Sequence, residues 1–285
     1  LLLSNWIEIF RKRLKVNGLE YILGEDWEVV SAGGATGEAY LAQQGEQKLF
    51  LKRNSSPFLA VLSAEGIVPK LLWTKRLANG DVITAQVWLD GRELKASEML
   101  KKPVAELLGK IHRSTELLGM LKRLGKTPLS PDLILKDIQA RMSGIEKLPE
   151  DIHSAFDFLA REKDHIEYEH KVVCHCDINH NNWLISEQEE LFLIDWDGAM
   201  IADPALDLGM LLYWYVPEVE WKAWLHNYGL ELTENLQKRM FWYVIVQTIQ
   251  SIFWHTEREK SAEKQYWMNF LRQLMSSKMM ANHKS

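Results

Sequence analysis

The chain has 285 residues, of which 47% are hydrophobic, enough for a substantial core in one large domain or two lobes. A formal net charge of -5 and a pI near 6.0 disfavour a nucleic-acid-binding surface. No apolar run approaches the roughly 20 residues of a membrane helix, so neither nucleic acid nor a membrane is an expected partner. The N-terminal LLLSNWIEIFRKR lacks the basic, apolar and small-residue order of a signal peptide. It opens on Leu1 rather than Met, as a trimmed start would. Cys174 and Cys176 are too close in sequence for an ordinary structural disulfide. A reduced, cytoplasmic protein is the resulting expectation.

Residues 26–88 read as an antiparallel sheet. Strands are expected at Trp27 to Ala32, Glu38 to Gln43 and Gln47 to Lys52, the last two joined through Gln44-Gly45-Glu46. Lys70 to Leu77 and Asp81 to Trp88 form a second hairpin, whose turn contains the Asn79-Gly80 pair favoured where both central residues need φ > 0. The turn between the first two strands is rich in glycine: Gly33, Gly34 and Gly37. Its backbone N–H groups could approach a triphosphate closely, although the same glycines would serve a plain hairpin turn. No Gly-Lys-Ser/Thr follows, so it is not a Walker A loop. Lys52 ends an apolar strand, where a lone lysine is usually just solvated. Pro57 to Glu65 reads as a short helix stopped by Gly66.

From residue 98 onward the pattern is mostly helical. Val104, Leu107, Leu108 and Ile111 share one face, with Pro103 near the helix start. His112 flanks that stripe and reads as a core or boundary histidine. Further helices are expected over 129–141 and 150–163, and then from about Leu206, Val219 and Glu234. Between them, Val172 to Cys174 reads as a buried strand, and Trp183 to Ile185 and Leu191 to Ile194 as a hairpin. That hairpin brings Asn182 and Asp195 to the same end. An amide and an acid held together suit a hard cation such as Mg²⁺, which prefers oxygen ligands and usually shares them with phosphates. Asp177 then lies close without having to bind the metal. Downstream, Asp203 fits an N-cap and Pro204 a first helical position. Asp207 by itself is a first-turn acid.

Histidines 165, 170, 175 and 180 crowd around the two cysteines, but their spacing fits no common zinc motif. The cysteines read better as small buried apolar residues. Most of the 12 tryptophans fall in the C-terminal third and are expected in the core. Aromatic faces also attract organic cations, which makes Trp242 and Trp254 candidates for substrate contact.

His175-Cys176-Asp177 with Asn182 spells H-x-D-x-x-x-x-N, and Ile194 to Asp197 spells I-D-W-D within the longer run IDWDGAMIADPALDLG. This signature resembles the aminoglycoside phosphotransferase and choline kinase family, most of all its bacterial choline and thiamine kinase-like branch. The resemblance implies an α+β, two-lobed protein-kinase-like fold. A small antiparallel-sheet N-lobe (1–88) would bind nucleotide, and a larger, mainly helical C-lobe (89–285) would carry catalysis and substrate binding. It implies Mg²⁺-dependent transfer of the γ-phosphate of ATP, or GTP, to a hydroxyl of a small molecule. Choline, thiamine or an amino sugar would suit the aromatic helices. By the same resemblance Asp177 is the catalytic base that orients the hydroxyl, and Asn182 and Asp195 hold the metal. Gly33, Gly34 and Gly37 form the phosphate loop. Lys52 holds the α- and β-phosphates with Glu65 as its partner, and adenine rests against the backbone of residues 86–89. His175 and Asp207 support the catalytic loop. Asp197 is left between a second metal, the substrate and a backbone group.

Cys176 departs from the family, where glycine is common at that position. A nucleotide-binding pseudo-enzyme or regulatory protein of the same fold is therefore the alternative. Only eleven residues separate Asp195 from Asp207, too few for the peptide-docking segment of a protein kinase. The phosphate acceptor, the choice of nucleotide and the oligomeric state are not encoded in any motif.

Overall fold

The computed structural model describes residues 20–24, 26–33, 38–145 and 147–282. Gly34 and Gly37 of the expected phosphate loop lie outside the described residues. The chain divides into two compact units, Leu1–Lys95 with His180–Asp197, and Ala96–Asn179 with Gly198–Ser285.

The first unit is built on five antiparallel strands: β1 (Glu28–Gly33), β2 (Ala39–Gln44), β3 (Gln47–Arg53), β4 (Leu71–Arg76) and β5 (Val82–Val87), in the order β1-β2-β3-β5-β4. In β3 the side chains alternate across the sheet. Leu49 and Leu51 join Ala42, Ile83 and Ala85 in a buried cluster, which leaves Lys48, Phe50 and Lys52 on the opposite face. Trp27, Val29, Trp73 and Leu77, with Ile22 and Leu23 of the short helix α1 (Glu20–Leu23), cover the cluster. Helix α2 (Phe58–Ala64) buries Phe58 and Leu62 and has Glu65 as its C-cap. Gly66 follows at φ 67°, the left-handed conformation that ends a helix and suits glycine.

The second stretch of this unit adds a three-stranded sheet. Strands β6 (Gly91–Glu93), β8 (Trp183–Ser186) and β9 (Leu191–Leu193) pair in the order β6-β8-β9. Backbone bonds tie it to the earlier part of the unit, among them Leu94 N–H to Trp183 O at 2.9 Å, Leu193 N–H to Ile67 O at 2.9 Å and Glu187 N–H to Asp90 O at 3.1 Å.

The other unit is helical. Its helices are α3 (Lys102–Arg113), α4 (Thr115–Arg123), α5 (Pro131–Ser143), α6 (Glu150–Glu162), α7 (Ala205–Tyr215), α8 (Trp221–Tyr228), α9 (Glu234–Glu257) and α10 (Ser261–Asn282). The expected apolar stripe of α3 is buried at Val104, Leu108 and Ile111. Ser114, Ser130 and Thr233 cap the starts of α4, α5 and α9 by accepting N–H bonds from Leu117, Leu133 and Leu236, the usual role of these hydroxyls. Helix α9 packs against α7, α10 and α6. Gly209 makes the α7 contact possible, since a Cβ there would lie 2.8 Å from Met240 O. Strands β7 (Val172–Cys174) and β10 (Met200–Ala202) pair antiparallel within this unit. Among the described residues, no helix is long and apolar enough to cross a membrane.

Candidate active site

In the helical unit, β7 delivers the loop His175-Cys176-Asp177. His175 is fully buried. Its backbone N–H donates to Asp207 Oδ2 at 2.7 Å, and the Cys176 N–H donates to Asp207 Oδ1 at 2.9 Å. Asp207 thus grips the loop backbone from the first turn of α7. His112 Nε2 lies 3.1 Å from Asp207 Oδ2, and His112 Nδ1 lies 2.7 Å from the Tyr228 hydroxyl. A carboxylate only accepts, so Nε2 carries the proton and, in the neutral ring, Nδ1 accepts from Tyr228. The Asp207 side chain is 0% exposed, and these three donors offset the cost of burying its charge.

Cys176 has φ 68°. In this left-handed region a Cβ crowds the backbone, whereas glycine is at ease. The departure from glycine noted in the sequence is therefore a local strain, held in place by the two Asp207 bonds. Burial, with the Asp207 charge second, pushes the Cys176 thiol well above its ordinary range, and the Cys174 thiol likewise. Asp177 is exposed between buried His175 and buried Ile178. Its N–H donates to His175 Nδ1 at 3.3 Å, and its carbonyl accepts from Asn179 N–H at 2.8 Å.

In the sheet unit, β8 and β9 pair Trp183 with Leu193. One step beyond, Ile194 N–H donates to Asn182 O at 2.8 Å. Asn182 closes the 3₁₀ turn His180–Asn182, and Asp195 follows Ile194 directly, so both stand at the same end of the hairpin. Asp195 is exposed and has φ 65°, a second strained non-glycine residue. Asn182 and Asp195 both offer side-chain oxygens, the ligand type that Mg²⁺ prefers, so their chemistry is compatible with such an ion.

Lys52 Nζ donates to Asp197 Oδ2 at 2.8 Å. Lys52 thus meets Asp197, an acid the sequence had not paired with it. Glu65 sits at the C-cap of a seven-residue helix, its N–H turned back to Val61 O. Asp197 lies in the 3₁₀ turn Trp196–Gly198. The Trp196 ring packs edge-on against Phe58, with centroids 5.7 Å apart, and its Nε1–H donates to Leu193 O at 2.7 Å. Gly33 ends β1 beside an irregularity in the β1–β2 register.

The two aromatic candidates fare differently. Trp242 is 0% exposed, and its indole N–H donates to Leu159 O at 3.0 Å. It is a core residue and offers no face to a ligand, because α9 is buried around that position. Trp254 is exposed, but Arg258 lies 4.0 Å and Lys260 4.9 Å from its ring centre, so the chain's own cations already occupy the ring. Among the described residues, the histidine, cysteine and acid side chains that come together are His112, Cys174 and Asp207. His112 and Asp207 are bonded to each other, whereas Cys174 Sγ donates to Asp203 O at 3.4 Å.

Asp203 is also fully buried. It accepts from Ala205 N–H at 2.8 Å, in keeping with its expected capping role, and is ion-paired to Arg239, whose guanidinium lies 3.7 Å over the Tyr168 ring. Burial raises its carboxyl above the usual value, with Arg239 opposing that shift. Sequence reasoning missed the His112–Tyr228 bond, the Arg239 pair and the Lys52–Asp197 pair. The available signal was a titratable residue inside an apolar helical face, as with His112 and Arg239; nothing local to Lys52 pointed to an acid 145 residues away.

The model of the phosphotransferase enzyme family (APH) matches residues 27–242. Among solved structures, the chain is similar to the choline kinase LicA from Streptococcus pneumoniae, with 19% identity over 91% of this chain and 96% of that one and a TM-score of 0.68. It is also similar to a choline/ethanolamine kinase family protein from Mesorhizobium loti, with 15% identity, 96% and 95% coverage and a TM-score of 0.65. A third is spectinomycin phosphotransferase APH(9)-Ia in complex with ADP and spectinomycin, with 16% identity, 83% and 87% coverage and a TM-score of 0.58. At these identities the structural matches speak for the fold, a two-lobed protein-kinase-like one with a small antiparallel-sheet lobe and a mainly helical lobe. The family match spans three quarters of the sequence, and the chain belongs to the phosphotransferase enzyme family (APH).

Proposed function

We propose that the protein is a Mg²⁺-dependent kinase that moves the γ-phosphate of ATP, with GTP as the other candidate nucleotide, to the hydroxyl of a small alcohol. A cationic alcohol such as choline, thiamine or an amino sugar is the candidate class, a reading supported by the choline kinase and spectinomycin phosphotransferase among the structural neighbours rather than by Trp242 or Trp254. The observation that supports the reading is the end of the β8–β9 hairpin, where Ile194 N–H bonds to Asn182 O and Asp195 is the next residue. Crystals of related proteins held AMP or ADP, which supports nucleotide use.

In this reading Asn182 and Asp195 would hold the metal, which would supply positive charge against the phosphates. Lys52 supplies a second positive charge to the phosphates. Asp177 accepts the hydrogen bond of the acceptor hydroxyl, orients it and takes its proton as the new O–P bond forms and the bond from the γ-phosphorus to the β,γ-bridging oxygen breaks, releasing the nucleoside diphosphate. His175 and Asp207 keep the loop that presents Asp177 in one conformation. Gly33, Gly34 and Gly37 offer backbone N–H groups to the phosphates.

Asp177→Asn keeps size and polarity but removes the proton acceptor. Transfer to a true substrate is expected to fall by at least 10²-fold, while nucleotide binding measured by calorimetry stays within threefold. Asp195→Ala is expected to weaken Mg²⁺–nucleotide binding itself. Near-normal turnover by Asp177→Asn would refute the role of Asp177. A calorimetric screen of choline, thiamine and neutral sugars tests the acceptor class: preferential sugar binding would remove the cationic alcohol.

A further inference from the structure

We infer that Asp197 is the residue that positions Lys52; the inference rests on the phosphotransfer reading for its functional meaning, but not for its structural content. Lys52 lies on β3, the middle strand of its sheet, in register with Ala39 on one side and Thr84 on the other. Its backbone is therefore fixed from both sides. Its four-carbon stem is not, and a lysine ammonium on a flexible stem must be held from its far end. The contact at that end is Asp197, at 2.8 Å.

The turn carrying Asp197 is built to stay in place. Trp196 packs on Phe58, its indole N–H is bonded to Leu193 O, and Leu193 is bonded through its own N–H to Ile67 O. The side chains of the pair are 27% and 64% exposed, so its contribution to stability is small. Its value is geometric. An ammonium has three N–H donors, so Lys52 can keep one bond to Asp197 and direct the others to phosphate oxygens. Asp195 belongs to the same short segment, so one piece of backbone sets both the carboxylate proposed for the metal and the anchor of the lysine. The sequence had offered a helix glutamate, Glu65, for that anchoring.

The test reads the lysine directly. Nucleotide-free protein is treated with a water-soluble acetylating ester, and acylation of Lys52 is followed by mass spectrometry with Lys48 as the internal reference. Asp197→Asn is expected to raise the Lys52 rate several-fold, Asp197→Glu to keep it near wild type, and Glu65→Gln to leave it within twofold. In turnover, Asp197→Asn is expected to lower kcat at least tenfold with KM for nucleotide changed less than threefold, and Asp197→Glu to recover part of the loss. The opposite labelling pattern, with Glu65→Gln exposing Lys52 and Asp197→Asn silent, overturns the inference in favour of Glu65. If wild-type protein neither binds nucleotide nor transfers phosphate, the proposed function fails, while the labelling still decides which acid holds Lys52.

Discussion

At the scale of single residues, two side chains near the candidate site adopt backbone conformations that L-residues avoid, Cys176 at φ 68° and Asp195 at φ 65°. Such conformations cost on the order of 1–3 kcal/mol each and persist where the surroundings impose them. For Cys176 the surroundings are the two N–H bonds to Asp207. A β-branched residue there is much less tolerable than an unbranched one, whereas glycine removes the strain. Cys176→Val is expected to destabilise the protein by about 1–3 kcal/mol in urea unfolding, and Cys176→Gly to leave it within about 1 kcal/mol of wild type. Equal stability of the two variants would mean that the loop relaxes freely and that Asp207 imposes nothing. The presence of Cys176 was plain in the sequence, and so was its oddity. Its dihedral was not, because a left-handed residue has no signature in the letters unless it is glycine or asparagine.

At the scale of elements, the loop is held by three helices. Helix α7 supplies Asp207, α3 supplies His112, and α8 supplies Tyr228 at its last position. Arg113, next to His112, donates to the Tyr228 carbonyl at 2.6 Å, so α8 is fastened to α3 by backbone and side chain together. Removing the Tyr228 hydroxyl leaves a buried imidazole nitrogen without its partner, which costs about 1–3 kcal/mol. Removing His112 takes one of three donors from the buried Asp207 carboxylate, about 1.5–3 kcal/mol for a bond to a charged group, and adds the cost of a cavity where the ring was buried. The expected order of stability is therefore wild type, Tyr228→Phe, His112→Ala, read from urea midpoints at constant m. The reverse order would show that His112 is not what compensates Asp207. Periodicity made α3 and its buried stripe legible, and the strands β1 to β5 agreed with the alternation pattern within one or two residues. The short strands β6 and β10 were not legible, because three residues carry too little pattern. Nor was the core position of Trp242, since an aromatic residue on a helix looks the same in a core as in a ligand pocket.

At the scale of the whole molecule, the sheet unit is not a continuous piece of chain. Strand β6 finds its partner in β8, which lies beyond a long helical stretch, and Lys52 finds Asp197 there too. A cut after Lys95 removes those partners. The fragment 1–95 is expected to unfold without a cooperative transition, whereas the same fragment joined through a flexible linker to 180–197 is expected to show one by circular dichroism. A cooperative transition in the bare fragment would mean that the five-stranded sheet is self-sufficient. The motifs at 175–182 and 194–197 were visible in the sequence, but not that the chain leaves one unit at Asn179 and the other at Asp197. This arrangement also sets an order of events during synthesis. At roughly 5–20 residues per second, the ribosome delivers residue 180 about 4–17 s after residue 95. Through that interval β6 lacks its partner strand and the Ile67 carbonyl its donor, and the nascent chain must be kept from pairing elsewhere until its own hairpin arrives.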